Sequence, residues 1–406
     1  MSATANDTVP AQRHPIGEVF RIFLRLGLTS FGGPIAHLGY FRNEFVVRRR
    51  WLDESTFADL VALCQFLPGP ASSQIGFALG LSRSGLPGGL AAWLGFTMPS
   101  AVALFAFAEL AGSLSGRIAD AALYGLKIVA VAVVAQAVWG MARTLAFDMQ
   151  RIAIAIVGGL LVVFFAGSLA QISAMLFGAV SGIILCRQTV AEAGGHLSFS
   201  ISRRLGIVVL VIFTAILLGA PVAAASLHSH ALILFDAFYR SGALVFGGGH
   251  VVLPLLKSAV VDPGLVSASQ FLNGYGAAQA VPGPLFTVSV YLGTVGTTPP
   301  NGLAGAAIAL VAIFLPGMLV LFGALPFWDE FRKRVGAQAV MRGVNAAVVG
   351  ILAAALYNPV WTGAIHNVWD FVLALAGFLL LTVWKCPPWI VVAGTAAGAV
   401  AMATFV

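Results

Sequence analysis

The sequence predicts an all-α, polytopic membrane protein built from two homologous halves of inverted topology. Three observations support this fold class: an apolar composition, an internal repeat, and glycine–proline breaks inside apolar segments. Of the 406 residues, 59% are hydrophobic and only 9% are charged, whereas a soluble domain carries about a quarter charged residues. The polar side chains are too few to cover a globular surface, so we expect the chain to lie in a lipid bilayer.

The distribution of basic residues and the spacing of the cysteines argue against a nucleic-acid-binding protein and against a disulfide-rich or metal-binding protein. The basic residues collect in short loops, as cytoplasmic loops of membrane proteins do, so we expect no nucleic-acid partner. Cys64, Cys186 and Cys386 are far apart and form no CxxC motif. We interpret them as packing residues and expect no disulfide, metal or cofactor.

An internal repeat divides the chain. The stretch FRIFLRLGLTSFGG (20–33) aligns without a gap with FDAFYRSGALVFGG (235–248), and QFLPGP (65–70) matches QAVPGP (279–284) after a change of one residue in spacing. Further matches follow in the same order: Met98-Pro99 with Leu315-Pro316, and Gly125 with Gly343. Such an ordered series indicates a duplication.

This duplication predicts four regions. They are a polar N-terminal tail at 1–15, a first repeat at 16–186, a cytoplasmic linker with one connecting transmembrane helix at 187–230, and a second repeat at 231–406. The tail has no apolar core followed by a cleavage site, so we expect it not to be a signal peptide.

A helix that crosses a membrane needs about 20 apolar residues, and nine segments have or nearly have this length. They are 87–112, 118–145, 150–168, 169–186, 205–224, 302–326, 338–357, 366–384 and 387–405. Four others are broken near the middle by FGGP, PGP, FGGG and PGP, at 16–46, 55–82, 235–260 and 269–298. Their legs are too short to span alone, which favours four re-entrant helical hairpins. The alternative is two short, tilted crossings in each segment.

The distribution of basic residues indicates that the halves are inverted. The loop at 42–50 carries four arginines, whereas its counterpart has Lys257 and an aspartate; later the bias reverses, with Arg117 alone in one loop and three basic residues at 332–334 in its counterpart. Basic loops face the cytoplasm. We therefore predict nine crossings, with the N-terminus inside and the C-terminus outside, and the helix at 205–224 supplies the odd crossing that inversion requires.

Inverted repeats with helices broken near the membrane midplane are typical of secondary transporters. Glycine lets the backbone turn and lets a ligand approach, and proline suits the first turn of a new helix. A helix N-terminus carries about half a positive charge and free N–H donors, which bind anions. Four such ends would supply roughly two positive charges, which suits a small dianion.

The predicted substrate-binding residues lie at the breaks or on the helices leading to them. In the first half they are Arg25, Phe31, Gly32, Gly33, Pro34, Gln65, Pro68, Gly69, Pro70 and Lys127; in the second they are Arg240, Phe246, Gly247, Gly248, Gly249, Gln279, Pro282, Gly283 and Pro284. His37 and His250, at unaligned positions, are candidate proton or anion contacts. Each of these side chains has a structural alternative. The arginines could snorkel or form ion pairs, and Lys127 could snorkel. The glutamines could hydrogen-bond to carbonyls at the tips of the hairpins, and the histidines could be core residues whose hydrogen bonds are satisfied.

The combination of SFGGP near the N-terminus, a PGP motif after an apolar leg, and a second half that repeats the pattern resembles the chromate ion transporter family, in particular its long two-half bacterial members. The second half departs from the pattern, with FGGG in place of FGGP. The resemblance implies a multi-pass protein of the bacterial plasma membrane that exports chromate and confers chromate resistance, with sulfate as a competitor or counter-substrate. No GxxxxGK[ST] motif is present, so we expect an ion gradient, the membrane potential or exchange to drive transport.

Other functions stay open at this point. Uptake or exchange of sulfate or another oxyanion would use the same kind of site, and so would an anion channel. A membrane enzyme is disfavoured, because the sequence has no metal-ligand cluster with suitable spacing and no nucleophile motif. A structural scaffold would not require repeated breaks. The sequence is compatible with a homo-oligomer.

Overall fold

The structure is a computed structural model that describes residues 14–31, 33–113, 116–165, 168–187, 199, 201–246, 251–331 and 334–405. The helices of the first half are α1 (Ile16–Thr29), α2 (Gly33–Phe41), α3 (Glu54–Phe66), α4 (Ala71–Ser113), α5 (Arg117–Leu145), α6 (Met149–Phe164) and α7 (Ser168–Leu185). Helix α8 (Arg203–Leu227) connects the halves. The second half contains α9 (His230–Ala243), α10 (Val252–Leu256), α11 (Ala268–Ala280), α12 (Val288–Thr294), α13 (Gly302–Ala324), α14 (Trp328–Phe331), α15 (Val335–Ala355), α16 (Val368–Thr382) and α17 (Pro388–Phe405).

Short irregular helices link these elements. Residues Arg42–Arg48, Lys257–Val261 and Leu356–Trp361 form π-helical segments, and Leu285–Thr287 and Leu325–Phe327 form 3-10 turns. The chain is helical on both sides of each interruption in the described part. The structure therefore agrees with an all-α architecture.

Five helical stretches are long and apolar enough to cross a membrane, judged by length and composition: Ala71–Ala111, Arg117–Leu145, Arg203–Leu227, Gly302–Phe327 and Val335–Trp361. Helices α6, α7, α16 and α17 are shorter, at 15 to 18 residues. The number of nine crossings and the inverted orientation stay predictions.

The four broken segments are interrupted where the sequence predicts. We call residues 30–32, between α1 and α2, the first glycine break, and residues 244–251, between α9 and α10, the second glycine break. Residues 67–70, before α4, are the first PGP loop, and residues 281–284, after α11, are the second. The first legs α1, α3, α9 and α11 have 13 or 14 residues, or about 20 Å at about 1.5 Å per residue. None could cross a hydrocarbon core of about 30 Å alone.

The predicted boundary between the segments 55–82 and 87–112 lies inside α4. Ser84 and Gly85 have non-helical backbone angles, with φ +64° at Gly85, and divide α4 into two helices. The chain turns back on itself at this point, because a Cβ on Gly80 would stand only 2.3 Å from the Gly88 carbonyl oxygen, whereas residues eight apart in one helix are about 12 Å apart. Ser84 Oγ donates a hydrogen bond of 2.5 Å to the carbonyl of His14, which holds the kink against the start of α1.

The halves exchange helices. Helix α5 of the first half packs against α16 and α17 of the second, and α15 of the second half packs against α6 and α7 of the first. Glycines make this approach close: a Cβ on Gly125 would stand 2.6 Å from Ala396 Cα, and a Cβ on its repeat equivalent Gly343 would stand 1.9 Å from the Gly178 carbonyl oxygen. Small residues at such crossings let helix backbones meet in membranes.

Candidate functional site

The four breaks are joined in pairs across the halves. The backbone N–H of Gly69, in the first PGP loop, donates to the carbonyl of Val245 at 2.8 Å, and that of Gly283, in the second PGP loop, donates to the carbonyl of Ser30 at 2.9 Å. Gly69 and Gly283 are equivalent in the repeat, and so are Ser30 and Val245. Each glycine break is therefore hydrogen-bonded to the PGP loop of the other half.

Only glycine fits at the centre of each loop. Gly69 has φ +124° and Gly283 has φ +101°, which side chains with a Cβ rarely adopt. A Cβ on Gly69 would stand 2.8 Å from Gly317 Cα on α13, and a Cβ on Gly283 would stand 2.9 Å from Ser100 Oγ on α4. Each PGP loop thus passes close to the long helix of the opposite half.

The prolines lie at helix starts, as expected. Pro34 is the second residue of α2, Pro70 directly precedes α4, and Pro284 directly precedes the 3-10 turn that leads into α12. A missing N–H at these positions removes no helical hydrogen bond. The residues Gly32, Gly247, Gly248, Gly249 and His250 lie outside the described residues.

A cluster of polar side chains surrounds the contact between the first glycine break and the second PGP loop. His37 Nε2 lies 3.2 Å from the Ser30 carbonyl oxygen, and the imidazole meets the Phe96 ring edge-on with 5.2 Å between centroids. Ser100 Oγ donates to the Thr97 carbonyl at 3.0 Å. All four polar side chains are at most 1% exposed.

Three polar atoms of this cluster have no hydrogen-bond partner within the described part of the chain: Ser30 Oγ, His37 Nδ1 and Thr97 Oγ1. Sequence reasoning named His37 but missed Ser30, Thr97 and Ser100. A usable signal was present, because the repeat alignment places apolar residues or glycine opposite all of them. The glycine–proline patterns predict backbone geometry and give no information on these side chains.

Arg25 lies apart from this buried cluster, exposed on α1. It lines a cleft of about 540 Å³ together with Arg21, Glu18, Glu44 and Arg49. Glu44 is paired with Arg49 at 2.6 Å, and Glu18 lies 3.4 Å from the same guanidinium. Within the described residues, neither Arg21 nor Arg25 has an ion pair. We call this cleft the basic vestibule.

Arg240, the equivalent of Arg25, has a different environment. It is paired with Asp236, four residues earlier on α9, and the Asp236 side chain is 6% exposed. Asp236 is the repeat equivalent of Arg21. Arg240 therefore forms an ion pair, which is the structural alternative that the sequence allows for both arginines. Arg25 instead shares its cleft with a second positive charge, that of Arg21.

The other predicted residues surround the breaks in varied settings. Gln65 is exposed, whereas Gln279 is half-buried and its Nε2 atom has no partner. Phe31 lies 6.4 Å from the Trp389 ring of α17, between centroids; Phe246 and Pro282 are half-buried. The Pro68 carbonyl accepts a hydrogen bond of 2.9 Å from Gln74 Nε2.

Lys127 is half-buried on α5, with Nζ 6.0 Å from the centroid of the Tyr124 ring. Its neighbour Leu126 is in backbone contact with α11, where a Cβ on Gly276 would stand 2.2 Å from the Leu126 carbonyl oxygen. Lys127 thus lies on the helix that supports the leg leading to the second PGP loop. No ion pair of Lys127 occurs among the described residues.

The two halves of the chain each match the sequence model of one known family. The family model described as "Chromate transporter" matches this chain twice, at residues 17–183 and 232–401. The chain belongs to the chromate transporter family. Proteins of this family are membrane transporters rather than enzymes, and the apolar helices agree with a multi-pass membrane protein.

Relatives cover nearly the whole chain. The "Chromate transport protein" of Pseudomonas aeruginosa is 28% identical over 98% of this chain and 94% of its own length. The "Probable chromate transport protein" of Synechococcus elongatus is 26% identical over 92% and 91%. The "Chromate transport protein" of Cupriavidus metallidurans is 24% identical over 87% and 85%. No solved structure matches the chain.

Proposed function

We propose that this protein is a secondary transporter that exports chromate from the cytoplasm across the bacterial plasma membrane, confers chromate resistance, and is inhibited by sulfate. The observation that carries the proposal is the pairing of each glycine break with the PGP loop of the other half, through Gly69–Val245 and Gly283–Ser30. The names of the relatives support chromate as the substrate.

The pairing suits a carrier for a physical reason. Broken helices expose backbone N–H and C=O groups that lipid cannot satisfy, so the breaks must face protein or a hydrated cavity. Each contact is made of one element from each half, so a relative movement of the halves would alter both contacts. Movement of one repeat against the other around a central site is the usual form of alternating access.

Charge supports outward transport. The basic vestibule contains Arg21 and Arg25 and lies beside the arginine-rich segment 42–50, which is predicted to face the cytoplasm. The equivalent segment of the second half instead holds the ion pair Lys257–Asp262, at 3.2 Å. A positive vestibule raises the local concentration of anions on its own side. A negative cell interior then favours anion exit by about 2.3 kcal/mol per charge per 100 mV.

The direct test is accumulation of radiolabelled chromate in sealed, energised everted membrane vesicles, with and without excess sulfate. We expect accumulation that exceeds that of vesicles lacking the protein, saturates with chromate, and falls when sulfate is added. Accumulation in right-side-out vesicles alone would contradict export and favour uptake. Flux that does not saturate would favour a channel.

A matched pair of arginine variants sharpens this test. We expect Arg25→Gln to reduce chromate accumulation by about tenfold or more, because it removes a positive charge from the vestibule. Arg143→Gln is the control, since Arg143 lies in the last turn of α5 with its guanidinium 5.7 Å from the centroid of the Trp139 ring. Equal loss in both variants at equal protein levels would exclude a specific role for Arg25.

A further inference from the structure

The two cross-half contacts share backbone geometry but differ in their side chains. On the register that aligns the glycine breaks, Val245 and Val252 replace Ser30 and His37; on the register that aligns Pro99 with Pro316, Phe314 and Gly317 replace Thr97 and Ser100. These counterparts are buried as completely as the polar residues. The other contact therefore forms without a hydroxyl or an imidazole at these positions. Its buried polar side chain is Gln74, whose Nε2 donates to the carbonyls of Pro68 and Gly317 at 2.9 Å each.

The polar contact is also incompletely satisfied. Ser30 Oγ, His37 Nδ1 and Thr97 Oγ1 are buried without partners among the described residues. Buried polar groups are nearly always hydrogen-bonded in folded proteins, and leaving one unpaired is costly. Three such atoms around one helix break indicate that a polar ligand completes the cluster.

The backbone brings the cluster together at one point. The Ser30 carbonyl contacts both His37 Nε2 and the Gly283 N–H. Thr97 and Ser100 are three residues apart on α4 and share one helix face, and Ser100 Oγ lies close to Gly283. The N-terminus of α2, with its partial positive charge, begins at Gly33 beside the cluster.

The hydrogen-bonding pattern describes the ligand. A carbonyl oxygen only accepts, so His37 Nε2 carries the proton and donates to Ser30. His37 Nδ1 is then a lone pair in the neutral imidazole, and the Ser30 and Thr97 hydroxyls are free to donate. Two donors and one acceptor fit an oxyanion that holds one proton: its oxygens accept from the hydroxyls and its O–H donates to Nδ1. An unprotonated dianion would require His37 to carry that proton instead.

We propose that Ser30, Thr97 and His37 bind the transported oxyanion together with one proton, shared between His37 Nδ1 and an oxyanion oxygen, and that this shared proton selects chromate over sulfate. The chromate part rests on the proposed function. Hydrogen chromate loses its proton near neutral pH, whereas hydrogen sulfate loses its proton only in strong acid, so chromate is much the better base. The proton enters from water with the anion and leaves with it, so one negative charge moves per chromate.

Titratable side chains occur on α2 and on the elements that pack against it. They are Glu18, Arg21 and Arg25 on α1, Tyr40 on α2 itself, Arg42, Glu44, Arg48 and Arg49 after α2, and Arg83 and Glu109 on α4. The second PGP loop carries no charged residue. In the described part of the chain, no charged side chain hydrogen-bonds to the His37 ring, so the bound anion is the partner that sets its protonation.

The test is isothermal titration calorimetry of chromate into the full-length, detergent-solubilised protein, repeated in two buffers of different ionisation enthalpy. At about pH 8 free chromate is the unprotonated dianion, and a neutral imidazole has a proton on only one of its two nitrogens. We expect about one proton to be taken up for each chromate bound. We also expect sulfate to bind at least tenfold more weakly, without competing at equal concentration.

Three variants assign the effect to the cluster. In His37→Gln the side-chain amide can still donate to the Ser30 carbonyl, but Nδ1 is lost; we expect proton uptake to disappear and the preference for chromate over sulfate to fall at least tenfold. Ser30→Ala and Thr97→Val change the shape little, and each should raise the Kd for chromate about tenfold while retaining proton uptake. Val252→Ala, at the equivalent of His37, is the control and should leave Kd unchanged per folded molecule.

Binding and flux separate this inference from the proposed function. Chromate binding with proton uptake, in a protein that gives no chromate flux in vesicles, would support the site and reject export. Chromate flux with no proton uptake, or with equal loss of chromate and sulfate binding in His37→Gln, would reject the site and leave export standing. Wild-type affinity in all three cluster variants would show that ordered water alone fills the cluster and would also overturn the inference.

Discussion

The contact of the first glycine break with the second PGP loop and the contact of the second glycine break with the first PGP loop form a natural comparison. Their defining hydrogen bonds, 2.9 Å at Ser30 and 2.8 Å at Val245, are almost the same length. At the repeat-equivalent positions, one contact has the polar side chains of Ser30 and His37, whereas the other has Val245 and Val252. The backbone of both contacts thus joins the halves in the same way, whereas the side chains at these positions differ.

The first legs of the two glycine breaks repeat this pattern. Helix α1 has Arg21 and Arg25 on one face, and α9 has Asp236 and Arg240 at the same positions. A pair of like charges four residues apart is unfavourable in an isolated helix, and a pair of opposite charges is favourable. Helix α1 lacks this stabilising pair but has a positive surface, whereas α9 has the stabilising pair.

Alanine at the two loop glycines should have the largest effect. We expect Gly69→Ala and Gly283→Ala each to lower stability by about 2 kcal/mol or more, because both residues have positive φ and both face close contacts. Gly69→Ala should be worse, since its Cβ would meet the backbone of Gly317, whereas that of Gly283 would meet the side chain of Ser100. Thermal unfolding of the purified variants measures the difference.

Adding Ser100→Gly tests this explanation. It removes the hydroxyl that opposes a Cβ at residue 283 and reproduces the glycine that stands opposite Gly69. We expect it to restore part of the stability of Gly283→Ala, leaving the cost of the positive φ. A double variant less stable than Gly283→Ala alone would contradict the steric account.

Converting the first leg to the charge pattern of the second should have an intermediate effect. We expect Arg21→Asp to pair with Arg25, as Asp236 pairs with Arg240, and to slow chromate entry about tenfold at low ionic strength. The dependence of the initial rate on salt should weaken as well, because screening acts on the same field. Arg117→Asp changes the net charge equally at the first residue of α5, outside the residues that line the vestibule, and should leave both quantities unchanged.

The ion pair between Arg240 and Asp236 in the second half gives a further test. Removing it alone should destabilise the protein, because Asp236 is buried and would lose its partner. The double variant Asp236→Asn with Arg240→Gln should recover stability and retain transport, since this ion pair is structural. Loss of transport in a stable double variant would give Arg240 a direct role in the pathway. Unfolding midpoints and vesicle flux measured together separate these outcomes.

The helix caps should have the smallest effect. Asp53 Oδ1 accepts the Thr56 N–H at 2.7 Å at the start of α3, and its repeat equivalent Ser267 caps α11 through a capping box with Gln270. Alanine at either position should cost about 1 kcal/mol. The two caps should differ in their dependence on pH, because only Asp53 ionises.

The Thr56 N–H holds the pKa of Asp53 below its usual value, because it stabilises the carboxylate. A folded-state pKa below the unfolded value means that this stabilisation is complete above about pH 4 and is lost as the pH falls through the lower folded-state pKa. The cost of Asp53→Ala should therefore shrink in acid, whereas that of Ser267→Ala should stay constant. Unfolding curves at a series of pH values provide the measurement.

Local chemistry made much of this fold predictable from sequence. Long apolar runs predicted the helices, and the motifs FGGP and PGP predicted where α1 ends and where α4 begins, since glycine and proline act on the backbone at their own positions. The repeat alignment identified which residues are equivalent. Even the pairing of Arg240 was readable, because Asp236 precedes it by four residues on a predicted helix.

Contacts between distant residues could not be predicted in this way. Nothing in the sequence near Ser30 states that its carbonyl accepts from Gly283, and a repeat alignment does not reveal that α5 packs on α17 while α15 packs on α7. In the sequence, Ser30 and Thr97 are single polar residues within apolar segments. The structure shows that their hydroxyls are buried without hydrogen-bond partners among the described residues. The backbone of the candidate site was thus foreseeable, and its buried polar side chains were not.

The exchange of helices between the halves has a consequence for how the protein is made. Helices α6 and α7 emerge from the ribosome long before α15, whose small-residue face is their partner, and α5 must wait for α17 at the far end of the chain. The first half therefore enters the membrane with glycine-lined surfaces that lipid fills only temporarily. Completion of the fold resembles the association of two subunits that share one polypeptide, and the last helix to be synthesised closes the first half as well as the second.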